Sequence, residues 1–239
     1  DIDTFLQKIK FQESIDYNNE FGDVGRNYGS QLRNWTVHNV GPNDSFPIYV
    51  DQLKNLIHTL KTNPIATKKT VTYWNPAESN ETALTPCHWG FEILVEPIGY
   101  KQITKWTKTS SSYSEYQFTL KWHQHSVDTF LGLPFNIASY GLLAHIIGKM
   151  TNMIPKGIIG DLSNVHIYEP HLDAVKEQLS RSTNFVNSEC ELIHGKTDNF
   201  YKRLSEDLNL LEHLDINDFK LTPHMEQPAI KAEMLAYDK

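Results

Sequence analysis

Cysteine is scarce in this 239-residue chain, with Cys87 and Cys190 the only two. Two thiols cannot staple a small scaffold, so a disulfide-built secreted domain is excluded and a reducing compartment is the simpler setting. Long apolar runs are missing too. No stretch of 18 apolar residues offers a membrane span, and no basic-then-apolar leader opens the sequence, so the expectation is a cytoplasmic protein without a membrane partner. Positive charge is in deficit: 22 Lys and Arg face 29 Asp and Glu, for a formal net charge of -7. That balance argues against DNA as a partner, because a phosphate backbone is bound by clustered cations. No internal repeat is visible, and 39% hydrophobic content excludes a disordered, collagenous or coiled-coil chain. What remains is a single globular domain over residues 1–239, long enough for a core and of a size suited to an enzyme. The chain begins at Asp1 without a methionine, so an N-terminal piece is expected upstream.

Asp16 to Gln31 is punctuated by Asn18, Asn19, Gly22, Gly25 and Gly29 and reads as turns. Leu53, Leu56, Ile57 and Leu60 recur at helical spacing within Val50 to Leu60, and Asn63-Pro64 ends that helix. Thr70 to Trp74, Phe91 to Val95, Tyr116 to Trp122 and Asn164 to Tyr168 read as strands. Lys101 to Glu115, rich in Ser, Thr and Lys, reads as a solvated insertion around 99–116. Helices are predicted over Phe135 to Met150, Leu172 to Leu179 and Phe200 to Leu214. Strands and helices mix without regular βαβ spacing, which favours an α+β fold.

Cys87 stands at a corner, between Pro86 and His88. It is either a small buried hydrophobe or a nucleophile whose thiolate is stabilised by its neighbours. Asn136 opens the long apolar helix after a Gly132–Pro134 turn, either as an N-cap or as an amide that donates and accepts toward a planar heterocycle. His123 and His125 share a face of a strand-like segment, but no cysteine pair or His-Glu-x-x-His helix supports zinc, so no metal is expected. Lys68-Lys69 is a charged strand edge or a phosphate patch.

Several segments together resemble the thymidylate synthase family. Leu131-Gly132-Leu133-Pro134-Phe135-Asn136-Ile137-Ala138-Ser139-Tyr140 is similar to its pyrimidine-binding turn and helix, and Pro86-Cys87-His88 to its nucleophile motif. Gln124-His125-Ser126-Val127-Asp128 resembles its Gln-Arg-Ser-x-Asp run, and Val165-His166-Ile167-Tyr168-x-x-His171 its ribose-contact strand. Gly25-x-x-Tyr28-Gly29-x-Gln31-x-Arg33-x-Trp35 and Ile230-Lys231-Ala232 are similar as well, so the likeness runs from about Gly22 to Ala232.

The resemblance implies an α+β fold with a large mixed sheet, packed back to back in a homodimer. It implies that Cys87 adds to carbon 6 of dUMP, and that carbon 5 then takes a one-carbon unit from 5,10-methylenetetrahydrofolate as co-substrate. In that scheme Asn136 reads the uracil edge and Tyr28 relays the carbon 5 proton. His88 and Gln124 are polar supports around thiol and base. Asp128 holds the pterin, with Trp74 and Asn75 also on the folate side. His166 and Tyr168 bind the sugar hydroxyl, while His125 and Ser126 face the phosphate. Lys68 and Lys69 stand where the family has two arginines contributed in trans by the partner subunit.

Four departures stand out. Lysines and His125 replace the phosphate arginines, supplying charge without a bidentate fork. The N-terminal stretch with a catalytic glutamate has no counterpart in this sequence. Ser14 and Tyr17 align with two tryptophans, the first of which shields the exocyclic methylene intermediate. His224 replaces a ribose-contacting tyrosine, and the tail continues to Lys239. A less shielded intermediate can be captured by water. The expectation therefore leans to deoxyuridylate hydroxymethylation, with dTMP synthesis as the alternative and a non-catalytic nucleotide- or RNA-binding homologue as a further one.

Overall fold

The computed structural model describes residues 25–37, 48–79, 82, 84–98, 115–182, 189–192, 198–214, 219–222 and 227–235. The expected insertion at Lys101 to Glu115 lies almost wholly outside them, as do Ser14, Tyr17 and His224. The first described element is a helix, α1 (Tyr28–Arg33), where the glycine and asparagine pattern suggested only turns; Asn27 caps it by accepting from Tyr28 N at 2.9 Å. Two short strands follow, β1 (Trp35–Val37) and β2 (Ile48–Val50), paired antiparallel. Next comes α2 (Gln52–Thr62), capped by Asp51, with Leu53, Leu56, Ile57 and Leu60 buried as their spacing predicts.

The main sheet has four strands: β3 (Thr70–Thr72), β4 (His88–Pro97), β5 (Tyr116–Gln124) and, after an excursion, β7 (Ile154–Leu162). β3, β4 and β5 pair antiparallel, while β5 and β7 run parallel, so the sheet is mixed. The excursion comprises β6 (Val127–Asp128) and the long helix α3 (Gly132–Thr151). β8 (Val165–His166) pairs with β6, and a 3₁₀ turn (Glu169–His171) leads into α4 (Leu172–Ser180). The remaining elements are β9 (Glu189–Leu192), α5 (Asp198–Leu204), a 3₁₀ turn (Leu208–His213) and β10 (Phe219–Thr222). The mixture of helix and sheet agrees with the α+β expectation.

The alternation of β5 determines how the sheet is used. Phe118, Leu120, Trp122 and Gln124 are buried and point one way, against a core that includes Phe91, Ile93, Tyr140, Ala144 and Ile147. On the opposite face Lys121 and His123 pair with Glu92 and Asp161 across three strands.

Three further readings need correction. The helix predicted over Phe200 to Leu214 is interrupted: Asp207 turns its carboxylate to Asn209 N at 3.0 Å and starts a separate 3₁₀ turn. The strand at Asn164 to Tyr168 shrinks to two residues. Asn136 is no cap, because α3 begins at Gly132 with Pro134 inside its first turn, where a missing N–H costs nothing. Asn136 lies past that first turn and is half-buried. Among the described residues no helix is long and apolar enough to cross a membrane.

Candidate active site

The sheet topology gathers the chemistry-bearing residues at one end. β4 starts where β5 finishes, so His88 pairs with Gln124, and parallel pairing brings Leu162 of β7 alongside. The register shifts between His88 and Gly90, leaving Trp89 as a bulge. Gly90 has φ 155°, and a Cβ there would lie 2.0 Å from the Val71 carbonyl oxygen. The bulged Trp89 carbonyl accepts from Tyr73 N at 2.7 Å and from the Thr72 hydroxyl at 3.2 Å, which ties the corner to the edge strand.

Cys87 sits at that corner, half-buried and outside any disulfide. Its backbone is held from both sides: its N–H donates to the Tyr28 hydroxyl at 2.9 Å, and its carbonyl accepts from His125 N at 2.9 Å. Tyr28 is positioned by a buried polar network rather than by apolar packing alone. Gln31 donates to Glu78 at 2.7 Å and to the Arg26 carbonyl at 2.9 Å, Asn27 donates to the Leu84 carbonyl at 3.1 Å, and Arg26 ion-pairs with Glu78 at 3.0 Å. Burial alone would raise the Glu78 carboxyl, but the bonds from Gln31, Arg26 and Thr36 bring it below its usual range.

Beside Cys87 opens a cavity of about 300 Å³ lined by Tyr28, Tyr73, His88, Asn136, Ser139, Tyr140 and Leu143. It is polar but carries no ionised side chain at neutral pH. Burial, aided by Cys87, pushes the Tyr28 phenol up to about 12, and burial raises Tyr73 and Tyr140 further still. His88 moves the other way, down to about 4, because burial and neighbouring His125 disfavour its cation. Its Nδ1 lies 3.0 Å from the Tyr140 hydroxyl, which also shares a hydrogen bond with Tyr73. Such a pocket suits a neutral planar ring: it can donate to a developing enolate oxygen and pass protons without placing a fixed charge against the ring.

The low value at His88 has a consequence for folding. The unfolded imidazole takes a proton below about pH 6.5, whereas the folded one refuses it down to about 4. The His88 contribution to stability is therefore flat above pH 6.5 and lost as pH falls toward 4. Between pH 7 and 4.5 the native protein is expected to lose on the order of 2 kcal/mol more than His88→Gln, read from urea midpoints at the two pH values. Equal losses would mean that His88 is accessible to protons.

The remaining predicted site residues fall into groups. Gln124 donates through Nε2 to Asn136 Oδ1 at 3.0 Å, so the two amides act as a pair. His125 accepts from the Trp89 indole at 2.5 Å and has the Trp74 ring 5.8 Å away. Ser126 has φ 54°, a left-handed conformation that costs a non-glycine residue on the order of 1 kcal/mol and recurs at binding turns. Asp128 Oδ1 accepts from Phe130 N and Leu131 N, which leaves Oδ2 without a partner among the described residues. His166 and Tyr168 stand edge to face at 4.9 Å, with His166 Nδ1 2.9 Å from the Asn164 carbonyl.

Two residues are occupied otherwise than expected. Lys69 is buried, and its ammonium binds the carbonyls of Pro64 (2.7 Å) and Ala66, closing the loop after α2; of the lysine pair only Lys68 is exposed. Asn75 is buried as well, with one end of its amide on Gln31 and the other accepting from Ala77 N. His123 and His125 have different partners, and among the described residues no group of three His, Cys, Asp or Glu is placed to hold a metal ion. Tyr73, Ser139 and Tyr140 were missed as site residues. The signal for two of them was available, since Asn136, Ser139, Tyr140 and Leu143 follow helical i, i+3, i+4, i+7 spacing.

A family model described as thymidylate synthase matches residues 3–236. The chain belongs to the thymidylate synthase family. It is 34% identical over 226 residues to a probable thymidylate synthase of Escherichia phage T5, covering 93% of this chain and 66% of that protein. It is 35% identical over 215 residues to the thymidylate synthase of Enterobacteria phage T4, covering 89% and 64%. The crystal structure of thymidylate synthase from T4 phage superposes with a TM-score of 0.71 at 33% identity, over 95% of this chain and 69% of that one. The chain thus spans just under two thirds of the length of these two phage relatives, and its fold is that of the thymidylate synthase family.

Proposed function

We propose that this chain transfers a one-carbon unit from 5,10-methylenetetrahydrofolate to carbon 5 of dUMP, through an adduct between Cys87 and carbon 6 of the ring. The observation that carries this reading is the position of Cys87. It is a thiol outside any disulfide whose backbone N–H is fixed on the Tyr28 hydroxyl, beside an uncharged cavity lined by Asn136, whose amide accepts from Gln124. Addition of the thiolate to carbon 6 turns carbon 5 into a nucleophile, and the pocket's donors stabilise charge arriving on the ring carbonyl. Tyr28 keeps its proton at working pH and so serves as a relay for the carbon 5 proton rather than as a phenolate base. The phosphate end falls to Ser126, whose hydroxyl has no partner among the described residues, and to His125, with His166 and Tyr168 toward the sugar.

Folate fits the free Oδ2 of Asp128, an acceptor for a pterin N–H, and the half-buried Trp74 ring. It would supply the one-carbon unit as an electrophile. In the same reading the chain works as a homodimer through the face of the sheet turned from the core, where exposed Leu94 and Ile159 lie beside the Glu92, Lys121, His123 and Asp161 charges. Lys68 would then act across the subunit boundary, and Lys69 would have to leave two carbonyls to join it.

For the product we favour 5-hydroxymethyl-dUMP over dTMP, because Ser14 and Tyr17 align with two tryptophans of the family, the first of which shields the exocyclic methylene intermediate. Tritium release from carbon-5-tritiated dUMP in the presence of methylenetetrahydrofolate is expected for either product, and its absence would remove the one-carbon reading. A rise at 340 nm together with dTMP identifies methylation and refutes hydroxymethylation.

A further inference from the structure

One buried ring underlies both polar arms of the cavity, and it is a residue to which the chemistry above gives no role. Trp122 is 3% exposed and lies on the core face of β5, two residues from Gln124. Its indole Nε1 donates to Gln124 Oε1 at 3.2 Å. An indole N–H can only donate, so the oxygen end of the Gln124 amide must face it. The amino end then faces Asn136, consistent with the 3.0 Å bond from Gln124 Nε2 to Asn136 Oδ1. Turning either amide over would set N–H against N–H in a buried place, which is costly. Asn136 is left with Nδ2 free of any partner among the described residues, on a side chain that lines the cavity.

The ring is itself held. It stacks on Tyr140 with centroids 5.0 Å apart and planes 16° from parallel, and Tyr140 in turn reaches His88. It also lies against Gly160, its register partner on β7, where an added Cβ would come within 2.5 Å of the six-membered ring.

We propose that Trp122 is the positioning residue for base selectivity: its indole N–H sets the polarity of the Gln124 and Asn136 amides, so that the cavity offers N–H to a pyrimidine carbon 4 carbonyl. A uracil ring presents an oxygen there and an N–H beside it, which Asn136 Nδ2 and the second lone pair of Oδ1 match. Cytosine presents the reverse pattern. This inference rests on the dUMP reading above and adds the origin of its discrimination.

The test is calorimetric titration of the full chain with dUMP and with dCMP, for the native protein, Trp122→Phe and Gly160→Ala. Trp122→Phe keeps a stacked ring and removes only the donor. The native protein is expected to prefer dUMP, and Trp122→Phe to lose about tenfold of that preference while its melting temperature stays within a few degrees. Gly160→Ala, which pushes the indole off Gln124, is expected to lower the ratio in the same direction. A merely structural role would weaken both nucleotides in parallel and leave the ratio unchanged, and that result overturns the proposal while leaving the dUMP reading intact. A native protein that binds neither nucleotide overturns both. Should Trp122→Phe unfold, Gly160→Ala decides, because the ratio it gives must fall.

Discussion

Cys87→Ala is expected to lower turnover by about 10⁴-fold or more while leaving dUMP binding within a few-fold of the native value. The reason is chemical rather than steric. Without addition at carbon 6, carbon 5 of the ring has no nucleophilic character, and none of the phenols that line the cavity can take the thiol's place, because burial holds each of them protonated. The side chain is half-buried at a corner whose geometry is set by its backbone bonds to Tyr28 and His125, and both survive the substitution. The loss should therefore appear in kcat and not in melting temperature. 5-Fluoro-dUMP with methylenetetrahydrofolate gives a second readout, since a fluorine at carbon 5 cannot leave as the proton does and the adduct is trapped. Native protein is expected to carry that adduct through a denaturing gel, and Cys87→Ala to carry none. An adduct that persists in the variant, or that maps to Cys190, would rule out Cys87 as the nucleophile.

Gly90→Ala is expected to cost about 3 kcal/mol or more of folding stability, measured by urea unfolding. A methyl group at this position meets the Val71 carbonyl oxygen at 2.0 Å and the Thr72 Cα at 3.0 Å. Neither is the movable end of a side chain, so the edge strand β3 must move away from β4 or the bulge must flatten. Either response also moves His88 and Trp89, and through them the bonds to Tyr140 and His125. Activity should fall by more than the unfolded fraction explains. A loss below about 1 kcal/mol would show that the edge strand yields at little cost.

The sequence was legible where pattern and packing coincide. α2 and α3 declare themselves through apolar spacing, and the strand at Tyr116 through the alternation that the sheet uses for its core. It was opaque where tertiary contacts override local signals. β7 contains Pro155, Gly157 and Gly160, a poor strand by composition, yet the absent side chain at Gly160 is what admits the Trp122 ring. Asn136 looked like a cap because Gly132 and Pro134 look like a turn; in fact both belong to the first turn of α3, and the asparagine faces the cavity. Lys69 looked like an available cation, and only the fold shows that two carbonyls hold it. Cys87, Tyr28, His88, Gln124 and Asn136 do assemble, because one antiparallel pair, one parallel pair and one helix start converge at the same end of the sheet.

Among the described residues, that convergence leaves the other end of the sheet without any of the site residues named above. The connection between β4 and β5 leaves from Pro97 and returns at Tyr116, nine residues and roughly 30 Å along the strand from the His88–Gln124 pair. A tag or a second domain joined between Pro97 and Tyr116 would therefore enter the sheet about nine strand residues away from the corner that holds Cys87.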